Sequence, residues 1–192
     1  MATADERSWR PGIGPPPELA APPVRLQRFR LSDLEELESE IRQSRAHLAP
    51  WQDWARKADL ASLRAFLLFC EAAWNARTDF QFGIREAGGR LVGGSGLHAR
   101  LGRGALEIGY WVAEDRINRG YATAAARALT AAAFALGGVD QVEIHCDEAN
   151  LRSAAVPRKL GYRLDRMVEE PAEAPSESGR SLVWVLDYAS GS

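Results

Sequence analysis

Along this chain, apolar positions alternate with polar ones at period two in some stretches and recur at helical spacing in others. VRLQRFR (24–30) reads as a short strand. In the following LSDLEELESEIRQ, Leu34, Leu37 and Ile41 sit at helical spacing and Glu35 lies three residues after Ser32, which predicts a helix capped by Ser32. HLAPWQDW reads as a loop carrying Trp51 and Trp54, after which Leu60, Leu63, Phe66, Leu67, Cys70 and Trp74 line one face of a second helix. DFQFGIRE alternates Phe80, Phe82 and Ile84 inward, Gly88-Gly89 turns the chain, and RLVGGSGLHA returns as its antiparallel partner.

Past the glycines at 102 and 104, ALEIGYWV (105–112) sends Leu106, Ile108, Tyr110 and Val112 to one face and Glu107, Gly109 and Trp111 to the other. An alanine-rich helix follows and ends at Gly137-Gly138, where a left-handed cap is favoured. VDQVEIHCD is a strand, NLRSAAVPRKLGY a short helix ending in a turn, and RLDRMVEE and SLVWVLDY are two last strands joined by the Pro/Glu/Ser-rich loop 169–180. The order predicts one α+β domain over residues 24–188. Its sheet is mixed and largely antiparallel, with six to seven strands flanked by helices, and the alanine-rich helix sits in the central β-α-β unit.

A chain of 192 residues with 46% hydrophobic content is ample for one core. Six of its ten prolines precede Val24 in a stretch without apolar periodicity, so residues 1–23 are expected to be a disordered, Pro-rich tail. A net charge of −2 and a pI near 6.0 give no general attraction to nucleic acid or to an anionic membrane, and neither is expected as a partner. Any bound anion must therefore be held locally. No apolar run is long enough to span a membrane and no basic start leads into an apolar export segment, so the cytoplasm is the expected location. Cys70 and Cys146 lack Cys or His neighbours at metal-ligand spacing; both read as buried apolar residues, and no metal is expected.

The candidate chemistry begins at INRGYATAAARALTAAAF (117–134). A helix start leaves N–H groups without partners and carries partial positive charge, so it binds phosphate where the backbone can be approached closely. Gly120 removes a blocking side chain, the alanines keep the first turns thin, and Arg119 and Thr123 add a charge and a hydroxyl. The same residues equally suit an alanine-rich helix packed tightly on a sheet, and both readings stand on the pattern alone. A P-loop would need Gly-Lys-Ser/Thr, which is absent, and GIG at 12–14 runs into three prolines rather than a helix.

From about residue 24 to 188, the chain resembles the GCN5-related N-acetyltransferases (GNAT), and within them the RimJ/RimL-type acetyltransferases of ribosomal-protein N-termini. Three segments carry the resemblance in the family's order: LEIGYWV, NRGYATAAARAL and NLRSAAVPRKLGY. Of the family's phosphate signature, Gly120 and Ala122 match the end. Its first slot, Gln or Arg in the family, falls on Ile117, with Arg116 one place early. The resemblance implies acetyl-CoA as cosubstrate, its pyrophosphate on backbone N–H groups of Ile117, Asn118, Arg119, Gly120, Tyr121 and Ala122, with Thr123 beside them. It further implies that Trp111 and Val112, on a strand that splays from its neighbour, offer N–H groups to the pantetheine and thioester, with Asn150 against the cofactor arm.

The implied chemistry is direct attack of an amine on a thioester, which needs a neutral amine, a donor to the oxyanion and a proton for the departing thiolate. The resemblance makes Ser153 the proton donor, with Tyr162 as an alternative. Glu107, set apart from the apolar set by strand parity, is the candidate base, directly or through water, against a solvated strand carboxylate. An α-amine of pKa about 8 is roughly a tenth neutral at pH 7, whereas a lysine near 10.4 is almost wholly charged, so one weak carboxylate suits a protein N-terminus better. A metabolite or antibiotic amine, or a non-catalytic acyl-CoA-binding module, remain alternatives. His98 and His145 receive no role, Trp51 and Trp54 suit either an acceptor groove or the core, and a monomer or homodimer is expected.

Overall fold

DFQFGIR becomes a strand because its alternate side chains Phe80, Phe82 and Ile84 can all be buried on one side of a sheet, and all three are fully buried. The computed structural model describes residues 13–102 and 104–188. In it this segment is the third of eight strands: β1 (Glu18–Ala21), β2 (Val24–Arg28), β3 (Asp79–Arg85), β4 (Leu91–His98), β5 (Ala105–Val112), β6 (Gln141–Asp147), β7 (Arg163–Glu169) and β8 (Arg180–Asp187). They form one sheet in the order β1-β2-β3-β4-β5-β6-β8-β7. The helices are α1 (Leu34–Leu48), α2 (Asp53–Lys57), α3 (Leu60–Ala76), α4 (Tyr121–Ala135) and α5 (Leu151–Lys159). Every neighbouring pair of strands is antiparallel except β5 and β6, which α4 joins as the expected β-α-β unit.

Two apolar clusters hold the layers together. The larger sets Phe82, Ile84, Leu97, Leu106, Ile108 and Val142 of the sheet against Ala125, Ala126, Leu129 and Ala133 of α4. The small side chains let α4 lie close to the strands. The smaller cluster sets Phe29 and Leu91 against Leu37 and Ile41 of α1 and Leu63, Leu67 and Cys70 of α3.

Three expectations change. Residues 18–21 are not tail but β1, in register with β2 from Glu18↔Gln27 to Ala21↔Val24, and this strand takes the sheet to eight, beyond the six to seven expected. An edge strand tolerates flanking prolines, so the proline-rich composition hid a short pairing segment; residues 1–12 of the expected tail lie outside the described residues. Ser32 does not cap α1: Leu31–Asp33 form a 3-10 turn, and the Asp33 carboxylate accepts from the Arg30 N–H at 2.8 Å and from Arg85 at 2.8 Å. The two-Trp loop also contains α2. Buried Arg85 of β3 thereby ties down the start of α1, since its guanidinium also reaches Glu36 at 2.7 Å.

Candidate active site

β5 and β6 pair only over Ala105–Glu107 with Gln141–Glu143. Both continue beyond this point, β5 still paired to β4 as far as Val112 and β6 still paired to β8 as far as Asp147. Past Glu107 the two parallel strands therefore diverge, and the backbone groups on their facing edges leave the ladder. Such a gap in the middle of a sheet exposes backbone donors to a ligand, and two grooves meet there.

The first groove, about 450 Å³, runs from this gap to the start of α4. Trp111, Val112, Ile117, Asn118, Gly120, Tyr121, Ala122, Thr123, Asn150 and Ser153 all line it, so ten of the twelve residues singled out from sequence come together in one groove. Arg119 does not line it and is exposed on the loop. The helical ladder begins with the Ala124 N–H bonded to the Gly120 carbonyl at 2.9 Å, so the N–H groups of residues 121–123 precede it, as at any helix start. Gly120 is left-handed, φ 78°, and a Cβ there would meet no atom within 4 Å: it would project into open space at the helix start. Arg116, displaced by one position from the family signature, lines the groove but spends its guanidinium on Glu86 at 3.0 Å and Asp115 at 2.6 Å. Glu86 also accepts from the Tyr121 hydroxyl at 2.7 Å, so this loop is clamped to the end of β3.

The second groove, about 940 Å³, meets the first at the junction and is lined by Trp51, Trp54 and Phe66 and by the carboxylates Glu170 and Glu173, Trp51 lining the first groove as well. The two tryptophans thus line grooves and do not plug the core; Trp54 stacks edge-on against Trp111 at 6.1 Å between ring centres. Glu107 lines this second groove, not the first. It is only 6% exposed, so the solvated alternative is not what forms. Arg100 grips its carboxylate with two hydrogen bonds, one at 2.6 Å to Oε2 and a second to Oε1. Burial pushes the Glu107 pKa up, but the Arg100 bonds and charge, with smaller help from His145 and His98, outweigh it and hold the carboxyl below its usual range. Such a carboxylate is ionised and a weak base.

Tyr110, Trp111, Asn150 and Ser153 line both grooves. Asn150 caps α5, its side-chain oxygen accepting the Ser153 N–H at 3.1 Å, which fixes Ser153 at the mouth between the strands. The Tyr110 hydroxyl donates to the Ser153 carbonyl at 3.0 Å and lies 3.2 Å from Oγ. Burial raises the Tyr110 pKa despite the bond to Ser153, so the phenol stays protonated as a donor. Strand parity put Tyr110 in the core, and only the gap between β5 and β6 turns it into a junction residue. Tyr162, the alternative donor, lies away from the junction: it is buried, bonded to Thr130 of α4 at 2.6 Å, raised to about 12 by burial, and lines neither groove. Both cysteines are buried with raised pKa values, Cys70 to about 12, as expected of inert thiols.

Residues 24–163 match the family model described as an acetyltransferase (GNAT) domain. The proposed ribosomal N-acetyltransferase YdaF of Bacillus subtilis (strain 168) is 34% identical over 113 residues, which are 57% of this chain and 51% of that protein, so the match spans about half the length of this curated relative. Among solved structures, Mycobacterium smegmatis RimJ in complex with a CoA disulfide superposes with a TM-score of 0.80 at 23% identity, covering 91% of this chain and 90% of that one. The microcin self-immunity acetyltransferase MccE in complex with acetyl-CoA and AMP does so with a TM-score of 0.80 at 16% identity, covering 87% and 93%. At these identities the two superpositions speak for a shared fold.

Proposed function

The chain belongs to the GNAT acetyltransferase family, and on that premise we propose that it transfers the acetyl group of acetyl-CoA to a primary amine, with a protein N-terminal α-amine as acceptor, as in RimJ/RimL-type enzymes. The observation that carries the reading is the meeting of two grooves where β5 and β6 diverge: one reaches an open helix start suited to a pyrophosphate, the other an aromatic and acidic channel suited to a cationic amine.

In this reading the N–H groups of residues 117–122 hold the pyrophosphate and the Thr123 hydroxyl supports them, while Arg119 adds its charge from the loop. Trp111 and Val112 offer backbone N–H groups to the pantetheine arm and the thioester carbonyl, and Asn150 borders the arm. The amine nitrogen bonds to the acetyl carbon, the carbon–sulfur bond breaks, and the departing thiolate takes a hydrogen bond from the Ser153 hydroxyl and then a proton, made good by the one that the acylated nitrogen loses. A serine is a weak acid, so it acts through the bond it donates. Tyr110, whose hydroxyl donates to the Ser153 carbonyl at 3.0 Å, helps to hold Ser153 in place. Glu107, held by Arg100, contributes negative charge facing the acceptor amine. A ribosomal-protein acceptor would be met in the cytosol; no helix among the described residues is long and apolar enough to cross a membrane.

Labelled acetyl-CoA incubated with cell lysate tests the acceptor. Label on protein α-amines supports the reading, label confined to small molecules replaces it with a metabolite or antibiotic acceptor, and no transfer leaves an acyl-CoA-binding module. Ser153→Ala tests the donor: turnover should fall at least tenfold with acetyl-CoA affinity, measured by calorimetry, within about twofold. Unchanged turnover would remove Ser153 from the chemistry.

A further inference from the structure

Glu107 is an ion pair and a weak base, so the proton of the incoming ammonium group needs another destination. We propose that it goes to Nε2 of His98, oriented by Asp79; this deepens, and rests on, the transferase reading above. His98 ends β4 and is in register with Glu107 of β5, so it lies one strand away from the carboxylate first assigned to the task. Its ring lies over the floor of the acceptor groove. A Cβ on Gly96 would stand 2.7 Å from both its Cε1 and Nε2, and one on Gly109 would stand 3.3 Å from Nε2. Glycine at both positions is what leaves room for the imidazole there.

The two ring nitrogens have different surroundings. Nδ1 lies 2.7 Å from Asp79 Oδ2, and Gln81 holds the other Asp79 oxygen at 2.9 Å, so the carboxylate is fixed where it accepts the Nδ1 proton. Gln81 is also 3.4 Å from Nδ1, too long to compete with the carboxylate. The neutral ring then carries its proton on Nδ1 and its lone pair on Nε2, which has no hydrogen bond among the described residues and lies toward the groove. This is the orienting logic by which a carboxylate makes a histidine a general base. The other charged groups around the ring are Glu107 of β5 with its Arg100, and His145 of β6, which is engaged by Glu143 at 2.5 Å. In His145 the nitrogen engaged by the carboxylate is Nε2, the one that His98 keeps free, so only Nδ1, next to its own backbone, is left.

The step balances. Nε2 takes one proton from the α-ammonium, the freed nitrogen pair forms the bond to the acetyl carbon, the carbon–sulfur bond breaks, and the second proton, lost from the acylated nitrogen, replaces at Ser153 the one that its hydroxyl passes to the thiolate. His98 afterwards returns its proton to solvent through the groove.

The experiment measures kcat and kcat/KM from pH 6 to 9.5 for wild type, His98→Gln and Asp79→Asn, with synthetic octapeptides bearing a free α-amine as probe, and acetyl-CoA affinity by calorimetry. Glutamine keeps a side-chain amide at the position but no base. For His98→Gln, kcat/KM should fall about 100-fold at pH 7, with acetyl-CoA affinity within twofold. The deficit should narrow above about pH 8, where the α-amine is neutral without help. Asp79→Asn should show the same pH-dependent deficit at smaller size, because the amide no longer enforces the tautomer. A deficit equal at every pH would mark His98 as merely structural, and turnover within about threefold of wild type would overturn the proposal while leaving the transferase reading intact. A wild type that acetylates none of the peptides but acetylates small amines would overturn the N-terminal acceptor, and the same pH profile on those amines would still decide His98. A wild type that acetylates nothing would overturn both.

Discussion

Replacing Arg100 by Gln should weaken the fold at neutral pH and much less in acid. Glu107 is 6% exposed and loses both hydrogen bonds and the neighbouring charge. Stripping the partner from a fully buried ion pair costs about 3–5 kcal/mol. The Arg100 side chain is 63% exposed, so water replaces part of what it supplied, and a discounted figure of about 1–2 kcal/mol at pH 7 is expected. For a chain of this size that lowers Tm by about 2–8 °C.

The direction with pH follows from the two states of Glu107. With Arg100 present, its folded pKa lies below the unfolded value, so its contribution is complete above the ordinary carboxylate range and fades as pH falls through the lowered pKa. Without Arg100, burial, the largest influence on this group, pushes the folded pKa above the unfolded one. The variant's penalty is then full at pH 7 and is relieved as pH falls through that raised value, at up to about 1.4 kcal/mol per pH unit. Urea unfolding of both proteins at pH 7.5 and 4.5 reads the difference directly. A ΔΔG equal at the two pH values would refute the argument that an uncompensated Glu107 charge is its origin.

Other outcomes follow from single contacts. Tyr162→Phe should leave turnover unchanged and cost about 1 kcal/mol in urea unfolding, since Thr130 keeps its bond to the Ala126 carbonyl at 2.7 Å. Tyr110→Phe should reduce kcat about 3- to 10-fold with acetyl-CoA affinity retained, because the Ser153 carbonyl loses the bond that helps to fix the residue; equal rates would show that Ser153 needs no such anchoring. Gly120→Val forces a branched side chain into the left-handed region at φ 78° and fills the space at the helix start, so acetyl-CoA binding by calorimetry should weaken at least about tenfold. Unchanged affinity there would remove the pyrophosphate from the start of α4.

The helix start proposed for the phosphate depends on neighbours in sequence, and residues 117–123 arrive there as a block, but the pattern alone equally suited a helix packed tightly on the sheet, and the alanines of α4 do pack there. The chemistry end was less legible because it depends on partners far apart in the chain. Ser153 meets Tyr110 across 43 positions, and Asp79 meets His98 across 19, contacts that no local pattern announces. Glu107 shows the limit within one residue: strand parity removed it from the apolar set, but parity does not distinguish a solvated carboxylate from one gripped by an arginine seven residues earlier.

The order of the elements from β2 onward, apart from α2, and the β-α-β unit around α4 were determined by the amino-acid sequence alone, since periodicity and glycine placement act over a few residues; the cap expected at Ser32 instead gave way to the packing of Arg85 on Asp33. β1 escaped that logic: a four-residue edge strand is stabilised by its partner, and proline composition says nothing of whether a partner is near. The divergence of β5 from β6 after three paired residues was implied by the family resemblance but by no local pattern, and the tertiary structure sets where it begins. That gap turns Tyr110 from a core residue into a groove residue, sets Ser153 beside it, and leaves the groove floor to His98 and the glycines around it. Hydrogen-bonding capacity is written residue by residue, but which groups are left unpaired, and therefore reactive, depends on how the whole sheet closes around them.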